Sequence, residues 1–172
     1  MSTNHSKLAQ ISTRPAQEVD IESLAAILAP AVSPNQVRNY WKEHTEGTRR
    51  VLVAEIGGMV VGTISIGETK HYRTDSLRAL SLNVAEAYRR KGVATVLIAY
   101  AESEAMRLRF KSIHHEVGTT NDEAIQLYES QGYKHINKTV VNQWWVFPDG
   151  LNRRMDEEVS WVMTKILELP VA

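Results

Sequence analysis

A mixed α/β sheet flanked by helices is the fold class that the sequence predicts, in the order β-α-α-β-β-β-α-β-α-β-β. Three observations predict it. Two β-branched runs flank Gly57-Gly58, which marks a hairpin. The second half alternates strand-like with helix-like segments, the pattern of a sheet covered by helices. No repeat, low-complexity tract or linker divides the chain, so 10–172 reads as a single domain behind a polar, flexible N-terminal tail over 1–9. The order contains seven strands and four helices.

Residues 11–14 predict a short strand stopped at Pro15. Asp20 reads as the N-cap of a first helix that sets Ile21, Leu24, Ala25 and Leu28 on one face. Ser33 as N-cap and Pro34 as first helical residue open a second helix, with Val37, Tyr40, Trp41 and His44 on one side. Strands 50–56 and 59–66 form the hairpin. A polar loop over 67–76 leads to strand 77–84, with Leu80, Leu82 and Val84 on one face and Ser81 and Asn83 on the other. After Gly92 a helix runs to about Arg109 on an apolar stripe of Leu97, Ala101, Ala105 and Leu108. A fifth strand spans 112–117. Asn121-Asp122-Glu123 starts the last helix and Gly132 ends it. From Tyr133 the chain is strand again, interrupted by Phe147-Pro148-Asp149-Gly150, a turn sequence. Strand 158–166 closes the chain.

Composition narrows the function classes. Lys+Arg and Asp+Glu both number 20, so no global basic field points to nucleic acid or an anionic membrane. Hydrophobic residues make up 43%, enough for a core and against wholesale disorder. The lack of cysteine excludes a disulfide framework, a thiolate metal site and a cysteine nucleophile, and fits a reducing cytoplasm. No apolar run approaches the ~18 residues of a membrane span, and the first residues lack the apolar core of a secretory signal.

The most informative segment joins a strand to a helix. Leu82, Asn83 and Val84 lead through the basic Arg89, Arg90 and Lys91 to Gly92, Val93, Ala94 and Thr95. A helix N-terminus carries unpaired N–H groups and about half a positive charge. Gly92 permits close backbone approach and the small Ala94 leaves the first turn accessible. With three cations beside it, the turn suits a pyrophosphate. It is neither a Walker A loop nor a dinucleotide-binding G-x-G-x-x-G. Taken alone, it is equally a solvated basic turn that caps a helix.

Its context resembles the GCN5-related N-acetyltransferases. Arg89-x-x-Gly92-x-Ala94 matches their Q/R-x-x-G-x-G/A turn, with Val84 eight residues before Gly92. Asn121, then Leu127-Tyr128 on a helix, then Gly132-Tyr133 matches their second signature. The likeness covers about 50–133 well. The second half looks most like the ribosomal-protein N-terminal alanine acetyltransferases, because Glu116-Val117 precedes Asn121 at their spacing and Trp144-Trp145 resembles their Tyr-Tyr segment beside the peptide slot. The loop Pro148-Asp149-Gly150-Leu151-Asn152 and the N-terminal extension depart from that subfamily.

The resemblance implies direct transfer of an acetyl group from acetyl-CoA to a primary amine, of a small molecule or of a peptide or protein N-terminus, with no metal. It implies Glu116 as general base, Tyr128 as general acid and the Val84 N–H as oxyanion donor. It implies that Leu82, Asn83 and Val84 pair with the pantetheine arm, that Asn121 and Tyr128 meet the cofactor, and that Arg89, Arg90, Lys91, Gly92, Val93, Ala94 and Thr95 hold the pyrophosphate. Many members of the superfamily dimerise through late strands, which makes a homodimer one expected assembly. His114 and His115 are adjacent and so face opposite sides of a strand, which argues against joint metal ligation. His71 is a surface-loop histidine that reaches an acceptor cleft only if its loop does. Trp144 and Trp145 point to opposite faces, one to the core. Two other classes stay open on the sequence: a non-catalytic acyl-CoA sensor or scaffold, which binds without turnover, and an interaction protein whose tryptophans form a docking patch.

Overall fold

The computed structural model describes residues 10–67, 72–146 and 154–168. Seven strands and four helices follow the expected order: β1 (Ile11–Pro15), α1 (Ile21–Leu28), α2 (Pro34–Glu46), β2 (Arg49–Ile56), β3 (Met59–Gly67), β4 (Ser76–Val84), α3 (Val93–Arg107), β5 (Ser112–Gly118), α4 (Asp122–Ser130), β6 (Lys134–Val146) and β7 (Arg154–Ile166). The strands form one sheet in the order β1-β2-β3-β4-β5-β7-β6. Among the described residues no helix is long and apolar enough to cross a membrane. The described residues of 1–68 and 79–104 form one compact unit, and those of 69–78 and 105–172 form another.

In the first unit, Gly57 and Gly58 both take positive φ (58° and 79°), the left-handed pair that matches the twist of a two-residue hairpin. Ile56 faces Met59 across it. Helix α2 starts as expected: Pro34 is its first residue and the Ser33 hydroxyl accepts the Gln36 N–H at 3.2 Å. Val37, Leu24 and Leu28 pack with Val51 and Val53, and Tyr40 and Trp41 close over them. Asp20 holds the expected N-cap position of α1, but its side chain does not cap the helix. Its carboxylate instead binds the Arg14 guanidinium at 2.7 and 2.9 Å and accepts the Gln17 N–H. A charged partner outcompetes a helix N–H for a buried carboxylate.

Helix α3 buries Val93, Leu97, Ile98, Ala101 and Ala105. It ends at Arg107, followed by Arg109 in a left-handed conformation, so Leu108 falls past the stripe and is 44% exposed. Gly62 on β3 is required here, since a Cβ on it would lie 2.9 Å from Val93 Cγ1 and 3.0 Å from Leu97 Cδ1.

In the second unit, β7 pairs antiparallel with β5 on one side and β6 on the other. Directly paired residues share a face. Gly118, Ser160 and Val140 thus lie on one face, with Glu116 and Val162 beside them. Helix α4 packs on the opposite face, where the Tyr128 ring meets His115 with centroids 4.1 Å apart. Strand β7 begins at Arg154, four residues before the expected start, because its first residues pair with 143–146 of β6. The expected turn 147–150 and His71 lie outside the described residues.

Candidate active site

The basic turn is built as a backbone concavity. Ser81 in β4 has φ 55°, and the apolar alternation changes phase there, from Leu77 and Ala79 to Leu80, Leu82 and Val84. The single face expected for Leu80, Leu82 and Val84 is therefore not the buried one: Leu77 and Ala79 are buried, and Leu82, Asn83 and Val84 are half-buried. A left-handed residue interrupts the extended backbone of a strand. The Ala85 N–H donates to Val61 O at 2.8 Å, and Arg89 Nε donates to Val84 O at 3.1 Å, tying the turn back to the strand end.

Arg90 and Gly92 are both left-handed (φ 59° and 84°), with Lys91 between them and helix α3 following. Alternating handedness of this kind points successive N–H groups toward one place, and the first turn of α3 adds its own free donors. Among the described residues nothing lies within 4 Å of where a Gly92 Cβ would be, so the concavity is open there. Arg89, Arg90, Lys91 and Thr95 are exposed, and Ala94 is half-buried. Val93 is 1% exposed with its side chain against Gly62, so only its backbone is free to serve. Lys91 Nζ sits 5.3 Å from the Tyr88 ring centroid.

In the second unit, Asn121 caps α4: its Oδ1 accepts the Ala124 N–H at 3.2 Å, which leaves its amide NH2 as a donor. Tyr128, one turn from the end of α4, is 6% exposed. Its ring is held between His115 and Tyr133, whose centroid lies 5.6 Å away. Burial pushes the phenol up, so it keeps its proton and acts as a donor. His115 is fully buried under Tyr128 and Tyr133, and burial pulls its imidazole down to about 3, so it stays neutral.

Glu116 lies on the other face of β5 from Tyr128. Its Oε2 accepts from Arg78 Nη2 at 2.6 Å, with the guanidinium and carboxylate 12% and 4% exposed. The sequence alone names no partner for this carboxylate, and the structure gives it a buried arginine. One strand position away along the same face, the Ser76 hydroxyl and His114 Nδ1 are 2.8 Å apart, and Tyr72 meets His114 edge-on. Burial pulls His114 down to about 4, with Arg78 and Lys138 adding to the shift and Glu116 opposing it. Three polar atoms of this face are buried without a hydrogen-bond partner: Glu116 Oε1, Arg78 Nε and His114 Nε2. His114 and His115 fall on opposite faces of β5, as strand alternation requires. Trp144 is 41% exposed, and the Trp145 side chain lies outside the described set.

Sequence reasoning missed Arg78 and His115 as functional neighbours. Arg78 carries a signal, because a lone guanidinium between Leu77 and Ala79 in an apolar strand demands a buried anion. His115 carries none, since its contact with Tyr128 depends on how α4 docks.

The sequence model of the Acetyltransferase (GNAT) family matches residues 19–133. An N-alpha-acetyltransferase of Sulfurisphaera tokodaii is 30% identical over 134 residues, covering 72% of this chain and 80% of that protein. The structure of a ribosomal-protein-alanine N-acetyltransferase from Brucella melitensis superposes with a TM-score of 0.70 at 24% identity, over 91% of this chain and 99% of that one. The protein yncA of Salmonella typhimurium, solved with its cofactor acetyl-CoA, superposes with a TM-score of 0.67 at 20% identity, over 95% and 98% of the two chains. A strand broken by a left-handed serine, a doubly left-handed turn and a helix, followed by an Asn-capped helix bearing a buried tyrosine, thus occur in a chain that belongs to the GNAT acetyltransferase family.

Proposed function

We propose that this chain transfers the acetyl group of acetyl-CoA directly to a primary amine, of a small molecule or of a peptide or protein N-terminus. The observation that carries the reading is the left-handed pair Arg90 and Gly92 opening α3, a concavity of backbone donors with exposed Arg90 and Lys91 beside it. In this reading the backbone of Arg90–Thr95 binds the pyrophosphate, with Arg89 holding the turn through Val84 O. The Leu82, Asn83 and Val84 backbone, beyond the left-handed Ser81, pairs with the pantetheine arm, and the Asn121 amide donates to it.

Acetyl-CoA supplies an activated thioester; the side chains manage the protons. The amine nitrogen bonds to the thioester carbonyl carbon, the carbonyl oxygen takes negative charge, and the C–S bond then breaks. The Val84 N–H stabilises that oxygen. Glu116 takes the proton from the amine, through Oε1 and a bridging water, and Tyr128 gives its proton to the departing sulfur; Glu116 then releases its proton to solvent and the Tyr128 phenolate, disfavoured by burial, takes one back as the products leave. The two belong to opposite faces of β5, which suits an acid and a base that serve opposite sides of one carbonyl. A neutral nucleophile is required, and an α-amino group near pKa 8 reaches it more readily than a lysine near 10.4. The name of the Sulfurisphaera relative points to the same α-amino class.

Calorimetric titration with acetyl-CoA and with CoA, alongside thiol release over a panel of amines and short peptides, tests the reading. Binding with amine-dependent release is expected. Binding without release from any acceptor would overturn the catalytic part, and no binding would overturn the whole.

A further inference from the structure

Glu158 and Gly118 stand in a relationship that the reaction above does not use. A Cβ at Gly118 would lie 2.9 Å from Glu158 Cδ and 2.9 Å from its Oε2. The Glu158 carboxylate thus occupies the space that a side chain at position 118 would fill. Position 118 is two residues beyond Glu116 on the same face of β5, a strand repeat of about 7 Å, so the two acids share that face. The Ser160 hydroxyl, fully buried, donates to Glu158 Oε1 at 3.1 Å and fixes the carboxylate there. No cation among the described residues lies within ion-pair distance of Glu158. The second acid of that face, Glu116, is itself incomplete, with Oε1 buried and unpartnered. The neighbouring Glu157 differs: it faces the other way along β7 and binds Gln143 Nε2 at 3.1 Å.

Resting on the proposed acetyl transfer, we propose that Glu158 is an acceptor-binding residue, and that the enzyme selects a primary amine carrying a second cationic nitrogen about one lysine side chain away. The reacting amine is served by Glu116 and the second nitrogen by Glu158. A linear diamine has this chemistry, and so does a peptide that begins with lysine, whose α-amine and ε-ammonium are joined through Cα and a four-carbon stem. Monoamines and peptides that begin with an uncharged residue leave Glu158 without a partner.

The test compares 1,5-diaminopentane with pentylamine, and Lys-Ala-Ala with norleucine-Ala-Ala, by thiol release with saturating acetyl-CoA. Wild type is expected to favour the dication of at least one pair by about tenfold or more in kcat/KM, and the pair that shows it identifies the source. Glu158→Gln should bring that ratio to about one while acetyl-CoA affinity stays within about twofold. Gly118→Ala keeps every charge but fills the seat, and should lower the ratio in the same way. Glu157→Gln should leave the ratio intact, since it removes an equal charge from the other face. Calorimetry of the favoured dication against the CoA-loaded protein gives a readout apart from turnover, and its heat should vanish in Glu158→Gln. Equal rates within both pairs, or a ratio that survives Glu158→Gln, would overturn the proposal while leaving acetyl transfer standing. Equal losses in Glu157→Gln and Glu158→Gln would also overturn it, in favour of a diffuse acidic field. Absence of acetyl-CoA binding in wild type would overturn both.

Discussion

Arg78 Nη2 and Glu116 Oε2 meet at 2.6 Å between β4 and β5, with both charged groups almost out of water. Each is also short of one partner, at Arg78 Nε and Glu116 Oε1. Breaking such a pair from one side strands a buried charge. Arg78→Leu is therefore expected to destabilise the fold by about 3–5 kcal/mol, whereas Arg78→Leu with Glu116→Leu should recover most of that loss. Urea unfolding of the two singles and the double measures the coupling. If the double variant is as unstable as the sum of the singles, the pair is not the unit that the geometry describes.

That pair also marks where the sequence stops being legible. Local chemistry carried most of the elements: Ser33-Pro34 opened α2, Gly57-Gly58 closed the hairpin, and Asn121 capped α4, each through interactions within a few residues. The same holds for the Arg89-to-Thr95 turn, whose glycine and basic residues declare an anion site locally. Misreadings arose where a partner was distant. Sequence spacing places Asp20 at a helix start, but its carboxylate binds Arg14, and nothing local to Glu116 points to the arginine 38 residues before it. The left-handed Ser81 has a local sign too, a phase change in the apolar alternation between Ala79 and Leu80. A single alternation imposed over the whole strand hid it.

The pyrophosphate turn separates charge from strain. Gly92 has φ 84°, so any L-residue there is strained, by about 1–2 kcal/mol on steric grounds. Gly92→Ala measures that strain, because no atom of the described residues lies within 4 Å of the added methyl. Gly92→Glu adds the same strain together with a carboxylate aimed at the anion. Acetyl-CoA affinity is expected to fall less than about tenfold in Gly92→Ala and about a hundredfold or more in Gly92→Glu. Equal losses in the two would show that the turn does not bind an anion.

Tyr128 can be tested without disturbing its packing. Its ring, wedged between His115 and Tyr133, is the same in phenylalanine, so Tyr128→Phe should unfold at nearly the wild-type urea concentration. Loss of a general acid typically slows turnover by about 10²–10⁴-fold. That loss is expected in kcat, with acetyl-CoA affinity held within about threefold. Unchanged kcat would remove Tyr128 from the chemistry and leave it a core aromatic.

Acid should unfold this protein through its histidines before its carboxylates. His114 and His115 are held down to about 4 and about 3 by burial, and His44, whose Nδ1 accepts the Val51 N–H at 2.9 Å, is shifted the same way. In the unfolded chain all three titrate near 6.5. Between 6.5 and the folded values, the unfolded state binds protons that the native state refuses, so stability falls as pH falls. Each group contributes a slope of up to about 1.4 kcal/mol per pH unit. At pH 5 the two β5 histidines together remove about 4 kcal/mol, a large share of the roughly 5–15 kcal/mol that holds a domain folded. Asp20 acts in a lower window: Arg14 keeps its carboxyl below the usual range, so its contribution is lost only beneath the ordinary carboxylate pKa near 4. The urea midpoint is therefore expected to drop steeply between pH 6.5 and 5, where carboxylates still carry their charge. His115→Phe, which keeps a ring under Tyr128, should make that drop shallower by about one proton. A midpoint that stays flat until pH 4 would mean that these imidazoles accept protons in the folded state, with the buried cluster open to water.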